Sequence, residues 1–271
     1  MMAVWDCHVH VFGDLGRFPL ATERRYTPGK AGLDPLRAHL RVTGATQVVL
    51  VQPTVYGDDH ACLFHALDAF GEMAVAVGAW SATAPPPEHP RLRGLRVDLR
   101  GDWSGAHAEA LRRAADAAGE RHLELQLSPS GLGALAREAL TTPVVLDHLA
   151  GFPGEDAWPA LDDLVCRGDV FVKLSGLDRA PGGLAGALPL ARHLARRFPD
   201  RLLWGSDWPH TPLHPLPGLR DIPLPFRPVD LRAMLVTLAD ALGPHLADAR
   251  SVVPARLYGQ PLNTDEGQCI R

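Results

Sequence analysis

Short runs of apolar and β-branched residues alternate with segments of helical periodicity along almost the whole chain. Eight such runs occur, and their near-continuous hydrophobicity is typical of parallel strands that are covered by helices on both faces. The predicted strands are Val4–Val11, Gln47–Pro53, Ala74–Trp80, Gly94–Leu99, His122–Leu127, Pro143–Leu149, Val170–Ser175 and Leu202–Asp207.

Amphipathic helices are predicted between the strands, because apolar residues recur there at spacings of three and four. The first helix carries end signals, with Asp34 as the N-cap, Pro35 at the first helical position and Gly44 just after the end. The other helices are predicted at Asp58–Phe70, Ala106–Ala118, Leu132–Leu140, Ala157–Cys166, Leu184–Phe198 and Leu231–Leu242.

The regular alternation predicts one domain over residues 1–271, a single (β/α)₈ TIM barrel. A doubly wound open sheet is the competing fold, but the chain has neither a GxGxxG fingerprint nor a Walker-type phosphate loop. A chain of 271 residues, 46% hydrophobic, can bury a sizeable core without staples. The proline-rich segment Thr211–Pro228 is expected to be a long loop that forms one wall of a substrate pocket.

Composition narrows the cellular setting and the partners. The net charge is only −4 and the arginines are dispersed, which argues against a nucleic-acid partner. Four scattered cysteines without a CxxC pair are typical of reduced thiols: Cys7, Cys62, Cys166 and Cys269. No signal-peptide pattern and no run of eighteen apolar residues is found. We therefore expect a soluble cytoplasmic protein without a membrane partner, of open oligomeric state.

Polar residues end three of the predicted strands. His8 and His10 are two apart on the first strand and so point to the same face. His148 ends the sixth strand and Asp207 the eighth. Histidines within a strand are often core groups, so the HxH pair indicates a site only together with polar residues at the ends of other strands. Because the C-terminal ends of barrel strands converge on the catalytic mouth, these four residues are predicted to form a catalytic site.

Several segments together resemble the amidohydrolase superfamily, and within it the branch of 2-pyrone-4,6-dicarboxylate lactonase and related sugar-lactone and sulfolactone hydrolases. The resemblance extends from Asp6 to about Gly259. It is carried by DCHVHVFG, VVLVQPT, RGLRVDL, VVLDHLAG, FVKLSGLDR, LLWGSDWPH and ARLYG. It implies an amidohydrolase-type TIM barrel that opens the lactone ring of a small substrate.

The resemblance also implies roles for individual residues. His8, His10, His148 and Asp207 would surround the reacting carbonyl, and Tyr26, Thr54, Arg96 and Arg179 would contact the substrate. Arginine suits a carboxylated lactone because its planar fork pairs bidentately with a carboxylate. Ordinary ion pairing is the alternative role for both arginines. His210, in the loop after the last strand, is expected to face solvent.

The chain departs from the pyrone lactonase pattern at four positions. Asp98 stands where the pattern has asparagine, and Asp102 stands where it has a second arginine. A negative charge there argues against a second substrate carboxylate, unless Arg100 replaces the missing arginine. Gln126 stands in place of an aromatic contact, and Val253 in place of an asparagine. The exact substrate therefore stays open.

The four polar residues also match the ligands of one divalent cation such as Zn²⁺, which would leave a position for water. A carbamylated-lysine centre with two metals is not expected, since strands four and five end without lysine or histidine. The ligand set favours one zinc ion. A metal-free mechanism is the alternative, because both kinds of enzyme occur in this branch.

The sequence thus predicts a lactone hydrolase in which Asp207 is the general base and the three histidines, or a bound metal, polarise the carbonyl. One alternative is a zinc-dependent decarboxylase of an aromatic or muconate acid, which would use a similar ligand set. A second is a non-catalytic barrel that only binds its ligand. The intact set of four residues argues against that second alternative.

Overall fold

The computed structural model describes residues 2–81, 85–212 and 220–259. Within these ranges, eight parallel strands form one sheet: β1 Trp5–Val9, β2 Gln47–Val51, β3 Ala74–Ala79, β4 Leu92–Leu99, β5 His122–Leu127, β6 Val144–Leu146, β7 Val170–Leu174 and β8 Leu202–Trp204. Strands that follow each other in the chain are neighbours in the sheet. All eight predicted strands are confirmed, most of them shorter at one or both ends. The domain bounds of 1–271 stay a prediction.

The sheet closes between its first and last strands. The backbone of Val9 forms a parallel bridge with Trp208, just after β8. The amide of Asp207 donates to the carbonyl of His8 at 2.9 Å, and the amide of His10 donates to the carbonyl of Trp208 at 2.8 Å. The predicted TIM barrel is therefore confirmed, and the closure itself places Asp207 beside the two histidines of β1.

Helices cover the outside of the sheet: α1 Leu33–Thr43, α2 Ala61–Phe70, α3 Gly105–Ala118, α4 Leu132–Leu135, α5 Trp158–Arg167, α6 Gly183–Arg197, α7 Leu231–Leu242, α8 Pro244–Ala249 and α9 Val252–Tyr258. α7 coincides with its prediction, and its N-cap Asp230 accepts from the amide of Ala233 at 3.0 Å. Among the described helices, none has the length and apolar character that crossing a membrane requires.

Several helix predictions were wrong in detail. α2 begins at Ala61 and not at Asp58, and Pro35 is the third residue of α1 and not the first. The N-cap of α1 is Gly32, and Asp34 lies in the first turn, where its carboxylate pairs with Arg37 at 2.9 Å. Gly44 does end α1 as predicted, with a φ of 70° that favours glycine. The helix after β5 is a single turn that ends at Leu135, short of the predicted Leu140.

The N-terminal end of the barrel is covered by α9. Leu257 and Tyr258 pack in one apolar cluster with valines of β2 and β3, and the ring of Tyr258 stacks on that of Trp5 at 5.8 Å. Burial of such side chains contributes roughly 1.5–3 kcal/mol each. The C-terminal ends of the strands are left for polar side chains, as in other TIM barrels. Cys269 and residues 213–219 of the predicted proline-rich loop lie outside the described residues.

Candidate active site

The ends of β1, β6 and β8 bring together all four residues predicted for the site, which we call the mouth cluster: His8, His10, His148 and Asp207. Nε2 of His8 lies 3.3 Å from Nε2 of His10 and 3.7 Å from Oδ1 of Asp207. Nε2 of His10 lies 3.8 Å from the same oxygen. The ring centroids of His8 and His148 are 4.9 Å apart. Three of the four are buried, and His148 is half-buried.

His148 is held by an unusual backbone turn. Five successive residues, 148–152, have φ values of 51°, 50°, 57°, 78° and 61°, in the left-handed region. This conformation costs a non-glycine residue about 1–2 kcal/mol, so the surrounding packing must hold it. The one glycine is Gly151, where a Cβ would lie 2.5 Å from the carbonyl oxygen of Leu127. The turn brings Nδ1 of His148 to 2.9 Å from Oγ of Ser175.

The histidines of the mouth cluster are neutral at pH 7. Burial lowers the pKa of His10 to about 4, and it also lowers the pKa values of His8 and His148. Nδ1 of His10 lies 2.8 Å from the carbonyl oxygen of Val51. Because a carbonyl oxygen only accepts, Nδ1 of His10 carries the proton and Nε2 presents its lone pair to the site.

Asp207 is buried and its carboxylate is incompletely satisfied. Burial alone would raise the pKa of Asp207, but His148 and Arg179 beside it hold that pKa below its usual range. Oδ2 lies 3.5 Å from Nη1 of Arg179 and 3.5 Å from Nη2 of Arg227. Oδ1 has no hydrogen-bond partner among the described residues. An ionised, unpartnered oxygen next to two imidazoles can accept a proton from water or bind a metal.

A second layer of buried charges lies next to the mouth cluster. This ion layer consists of Arg96 on β4, Glu124 on β5, Asp147 after β6 and Lys173 on β7. Arg96 donates to Oδ2 of Asp147 from Nε at 3.0 Å and from Nη2 at 2.8 Å. Lys173 donates to Glu124, and its Nζ lies 3.3 Å from Oδ1 of Asp147. None of the four is more than 4% exposed, so each charge depends on its neighbours for solvation.

The pKa values within the ion layer follow from these contacts. Burial opposes ionisation of Asp147, but Lys173 and Arg96 hold its pKa well below the usual range. Burial and the nearby Asp147 raise the pKa of Glu124, and Lys173 opposes that rise. Asp147 is therefore the firmly ionised carboxylate of the layer.

Sequence reasoning did not single out Glu124 or Lys173. Lys173 is the one polar residue of VFVKL, and Glu124 is the one carboxylate of HLELQL, whose other polar residues are His122 and Gln126. That pattern was the available signal, because a charge that faces a core requires a partner. The partner itself could not be identified, since Lys173 and Glu124 are 49 residues apart.

The predicted substrate contacts lie around the mouth cluster and differ in how far they are buried. Tyr26 is buried next to Thr211, and burial raises its pKa to about 12. Thr54 borders a cavity of about 330 Å³ together with Arg96 and Gln126. The guanidinium of Arg96 is bonded to Asp147, as in the alternative role considered for it. The substrate contact of Arg96 stays a prediction.

Arg179, a predicted substrate contact, lies beside Asp207. It ends the short turn Leu177–Arg179 after β7 and is 19% exposed. Its Nη1 lies 3.5 Å from Asp207 and 3.3 Å from Oγ1 of Thr211. Together with Gln126 and His148 it borders a smaller cavity of about 160 Å³. Gln126 also borders the larger cavity, so it stands where the two adjoin.

Two of the departures from the lactonase pattern concern the residues around Arg100. Nε of Arg100 lies 2.7 Å from Oδ1 of Asp98, and Nη2 lies 2.5 Å from Oδ2. This bidentate pair neutralises both charges.

The expectation that His210 faces solvent was wrong, because its side chain is only 7% exposed. The backbone of His210 is left-handed (φ 66°), and its amide donates to the carbonyl of Asp207 at 2.7 Å. Both features turn the loop inwards.

Comparison with known proteins identifies the family. The amidohydrolase family model matches residues 5–239, and the chain therefore belongs to this family. It is 30% identical over 277 residues to 4-sulfomuconolactone hydrolase of Rhizobium radiobacter, covering 94% of this chain and 89% of the relative. It is 31% identical over 246 residues to 2-pyrone-4,6-dicarboxylate hydrolase of Comamonas testosteroni, covering 80% of this chain and 78% of the relative.

A solved structure shares the fold. An amidohydrolase from Burkholderia multivorans with bound zinc is 20% identical and has a TM-score of 0.66, over 96% of this chain and 100% of that chain. In the present chain, one ligand atom each from His8, His148 and Asp207 lies within 4.8 Å of the other two. The predicted resemblance to amidohydrolases is thus confirmed at the level of family and fold.

Proposed function

We propose that this protein is a hydrolase that opens the lactone ring of a small, carboxylated substrate. Three relatives at 30% identity or more support the lactone: they are named as a hydrolase of 4-sulfomuconolactone, a hydrolase of 2-pyrone-4,6-dicarboxylate and an L-fucono-1,5-lactonase. The observation that carries the proposal is the unpartnered, ionised Oδ1 of Asp207, which faces the Nε2 atoms of His8 and His10 at 3.7 and 3.8 Å.

In the proposed reaction, Asp207 takes a proton from water as the water attacks the lactone carbonyl. The imidazoles of the mouth cluster stabilise the negative charge that develops on the carbonyl oxygen. Collapse of the tetrahedral intermediate breaks the ring C–O bond, and the proton held by Asp207 passes to the leaving oxygen. Because its low pKa makes Asp207 a weak base, polarisation of the carbonyl has to supply much of the rate.

The surrounding charges support one substrate carboxylate. Arg96 is bonded to Asp147 and Arg100 to Asp98, so neither guanidinium adds a net positive charge to the mouth. Arg179 borders both Asp207 and the smaller cavity and can pair with a carboxylate there. We therefore propose a monocarboxylated lactone, and Arg100 does not take the place of the second family arginine.

A single zinc ion fits the mouth cluster. The 3.3 Å between the Nε2 atoms of His8 and His10 matches the edge of a tetrahedron with Zn–N bonds of about 2.0–2.1 Å. The unpartnered Oδ1 of Asp207 is a further donor, and His148 completes the set that would hold the ion. When bound, zinc would act as a Lewis acid on the carbonyl and lower the pKa of water.

The test is a panel of lactones assayed with a pH indicator, in three matched groups that carry no carboxylate, one or two. We expect hydrolysis of the monocarboxylated lactones. Their kcat/KM should be higher than that of the neutral and the dicarboxylated lactones with the same ring. The assay is run on zinc-loaded protein and on protein stripped by a chelator, with metal content measured. Release of CO₂ from aromatic or muconate acids without lactone hydrolysis would replace the proposal with the decarboxylase. Binding without turnover across the panel would support the non-catalytic barrel.

A further inference from the structure

The ring of His8 connects the mouth cluster to the ion layer. Its Nε2 faces His10 and Asp207 at 3.3 and 3.7 Å. Its Nδ1 faces Nζ of Lys173 at 3.2 Å, Oδ1 of Asp147 at 3.4 Å and Oε1 of Glu124 at 3.7 Å. Both ring nitrogens are fully buried, so these neighbours decide which nitrogen carries the proton of the neutral ring.

The contacts at the mouth require a proton on Nε2 of His8 when no metal is bound. Nδ1 of His10 donates to the carbonyl of Val51, so Nε2 of His10 is an acceptor. Two lone pairs facing each other at 3.3 Å would repel. The contact is a hydrogen bond only if Nε2 of His8 donates to Nε2 of His10.

The contacts in the ion layer lead to the same result independently. An ammonium group only donates, so the 3.2 Å contact with Lys173 requires a lone pair on Nδ1 of His8. Oδ1 of Asp147 and Oε1 of Glu124 lie 3.4 and 3.7 Å from Nδ1 of His8, both farther away than Nζ of Lys173. A single run of donors therefore leads from Lys173 through His8 and His10 to Val51.

We propose that Lys173 is a positioning residue that keeps the proton of His8 on Nε2 and so opposes zinc binding. A protonated Nε2 has no lone pair for a metal. Zinc can bind His8 only when one proton leaves Nε2 for solvent and one is taken up on Nδ1, so the ring stays neutral. Oδ1 of Asp147 and Oε1 of Glu124 then accept from Nδ1, in the arrangement typical of zinc-bound histidines. Lys173 loses one hydrogen bond.

The consequence is that one buried lysine lowers the affinity of the site for zinc and stabilises the metal-free state. Loss of a hydrogen bond to a charged group corresponds to roughly tenfold to a hundredfold in binding, and Lys173→Met should strengthen zinc binding by that factor. Removing either cation also makes the ion layer more negative, and this charge by itself strengthens the binding of zinc. Arg96→Met is the matched control, because it removes the other cation of the layer, whose guanidinium donates to Asp147.

The first measurement uses the unmodified protein and does not depend on lactone hydrolysis. Long-range ¹H–¹⁵N NMR spectra distinguish the two imidazole tautomers, and the His8 signals are assigned by their loss in His8→Gln. In chelator-stripped protein we expect a protonated Nε2 and an unprotonated Nδ1 on His8, and the reverse after zinc is added. A proton on Nδ1 of His8 in the stripped protein overturns the proposal.

The second measurement is the zinc dissociation constant of three proteins, obtained by competition with a chromophoric chelator. Lys173→Met is expected to bind zinc at least tenfold more tightly than Arg96→Met, and the unmodified protein most weakly. Equal affinities of the two variants would show that charge alone is responsible and would contradict the role of Lys173. If Lys173→Met does not fold, the zinc dissociation constant of Lys173→Gln replaces it in the comparison, and the NMR spectra of the unmodified protein still test the proposal.

Discussion

The mouth cluster and the ion layer occupy neighbouring positions of the same barrel, yet they differ in how closely their carboxylates are paired with cations. In the ion layer, two cations meet two carboxylates at contacts of 3.3 Å or less. In the mouth cluster, Asp207 has two arginines only at 3.5 Å and an oxygen with no partner among the described residues. The ion layer thus holds its carboxylates with closer cations, whereas Oδ1 of Asp207 is available for the proposed reaction.

Mutation should separate the two layers, because removing one member of a paired set leaves an uncompensated buried charge. Removing the charge of Asp207 affects only the longer contacts with Arg179 and Arg227, whose side chains are 19% and 17% exposed and so remain partly solvated. For Asp207 we therefore expect a large loss of activity with a small loss of stability, and for the ion layer a large loss of stability. His8 touches both layers and is left out of this division.

The largest effect is expected for Asp207→Asn. The amide keeps the shape of the side chain but cannot take a proton from water, so kcat should fall roughly 10²–10⁴-fold while thermal unfolding changes little. Asp240→Asn, at an exposed position of α7, is the control and should leave both unchanged. A near-normal kcat in Asp207→Asn would remove Asp207 from the role of base.

A comparable effect, on stability, is expected for Asp147→Asn. Arg96 and Lys173 would lose the charge that they face, and the free energy of unfolding should fall by about 3–5 kcal/mol in denaturant titrations. Asp240→Asn again serves as the control, with an expected change within about 0.5 kcal/mol. If Asp147→Asn unfolds at the same denaturant concentration as the unmodified protein, the ion layer does not support the fold.

The same pair of proteins predicts a pH dependence. The pKa of Asp147 is held below its usual range in the folded state, so its contribution to stability is complete above about 3.9, the ordinary pKa of aspartate, and is lost as the pH falls further. The difference in unfolding free energy between the unmodified protein and Asp147→Asn should therefore shrink on acidification. A difference that grows towards low pH would contradict the assigned direction.

The smallest effect is expected for Arg179→Met. Loss of one charge-assisted contact should raise KM for a carboxylated lactone roughly tenfold to a hundredfold, and the neutral lactone of the same ring should be affected much less. The comparison between the two substrates removes any shared effect that acts through Asp207. Arg192→Met, exposed on α6, is the control. Equal losses for both substrates would show that Arg179 does not bind the carboxylate.

Local patterns in the sequence carry the barrel and most of the mouth cluster. Strand periodicity, helix ends and polar residues at strand termini depend on neighbours a few positions apart, and this is why β5 and α7 match their predictions in both bounds. His8 and His10 share a face by the two-residue repeat of a strand. Once eight alternating units predict a barrel, the convergence of β1, β6 and β8 follows from its geometry.

Only the tertiary structure decided how the charges pair and how the turns are bent. Arg96 and Asp147 are 51 residues apart, and Lys173 and His8 are 165 apart, so no local pattern links them. The left-handed turn at 148–152 and the inward course of His210 are held by surrounding packing against local preference. The family and the four residues of the mouth cluster were therefore predictable from the sequence, whereas the proton position on His8 depends on neighbours that only folding brings together.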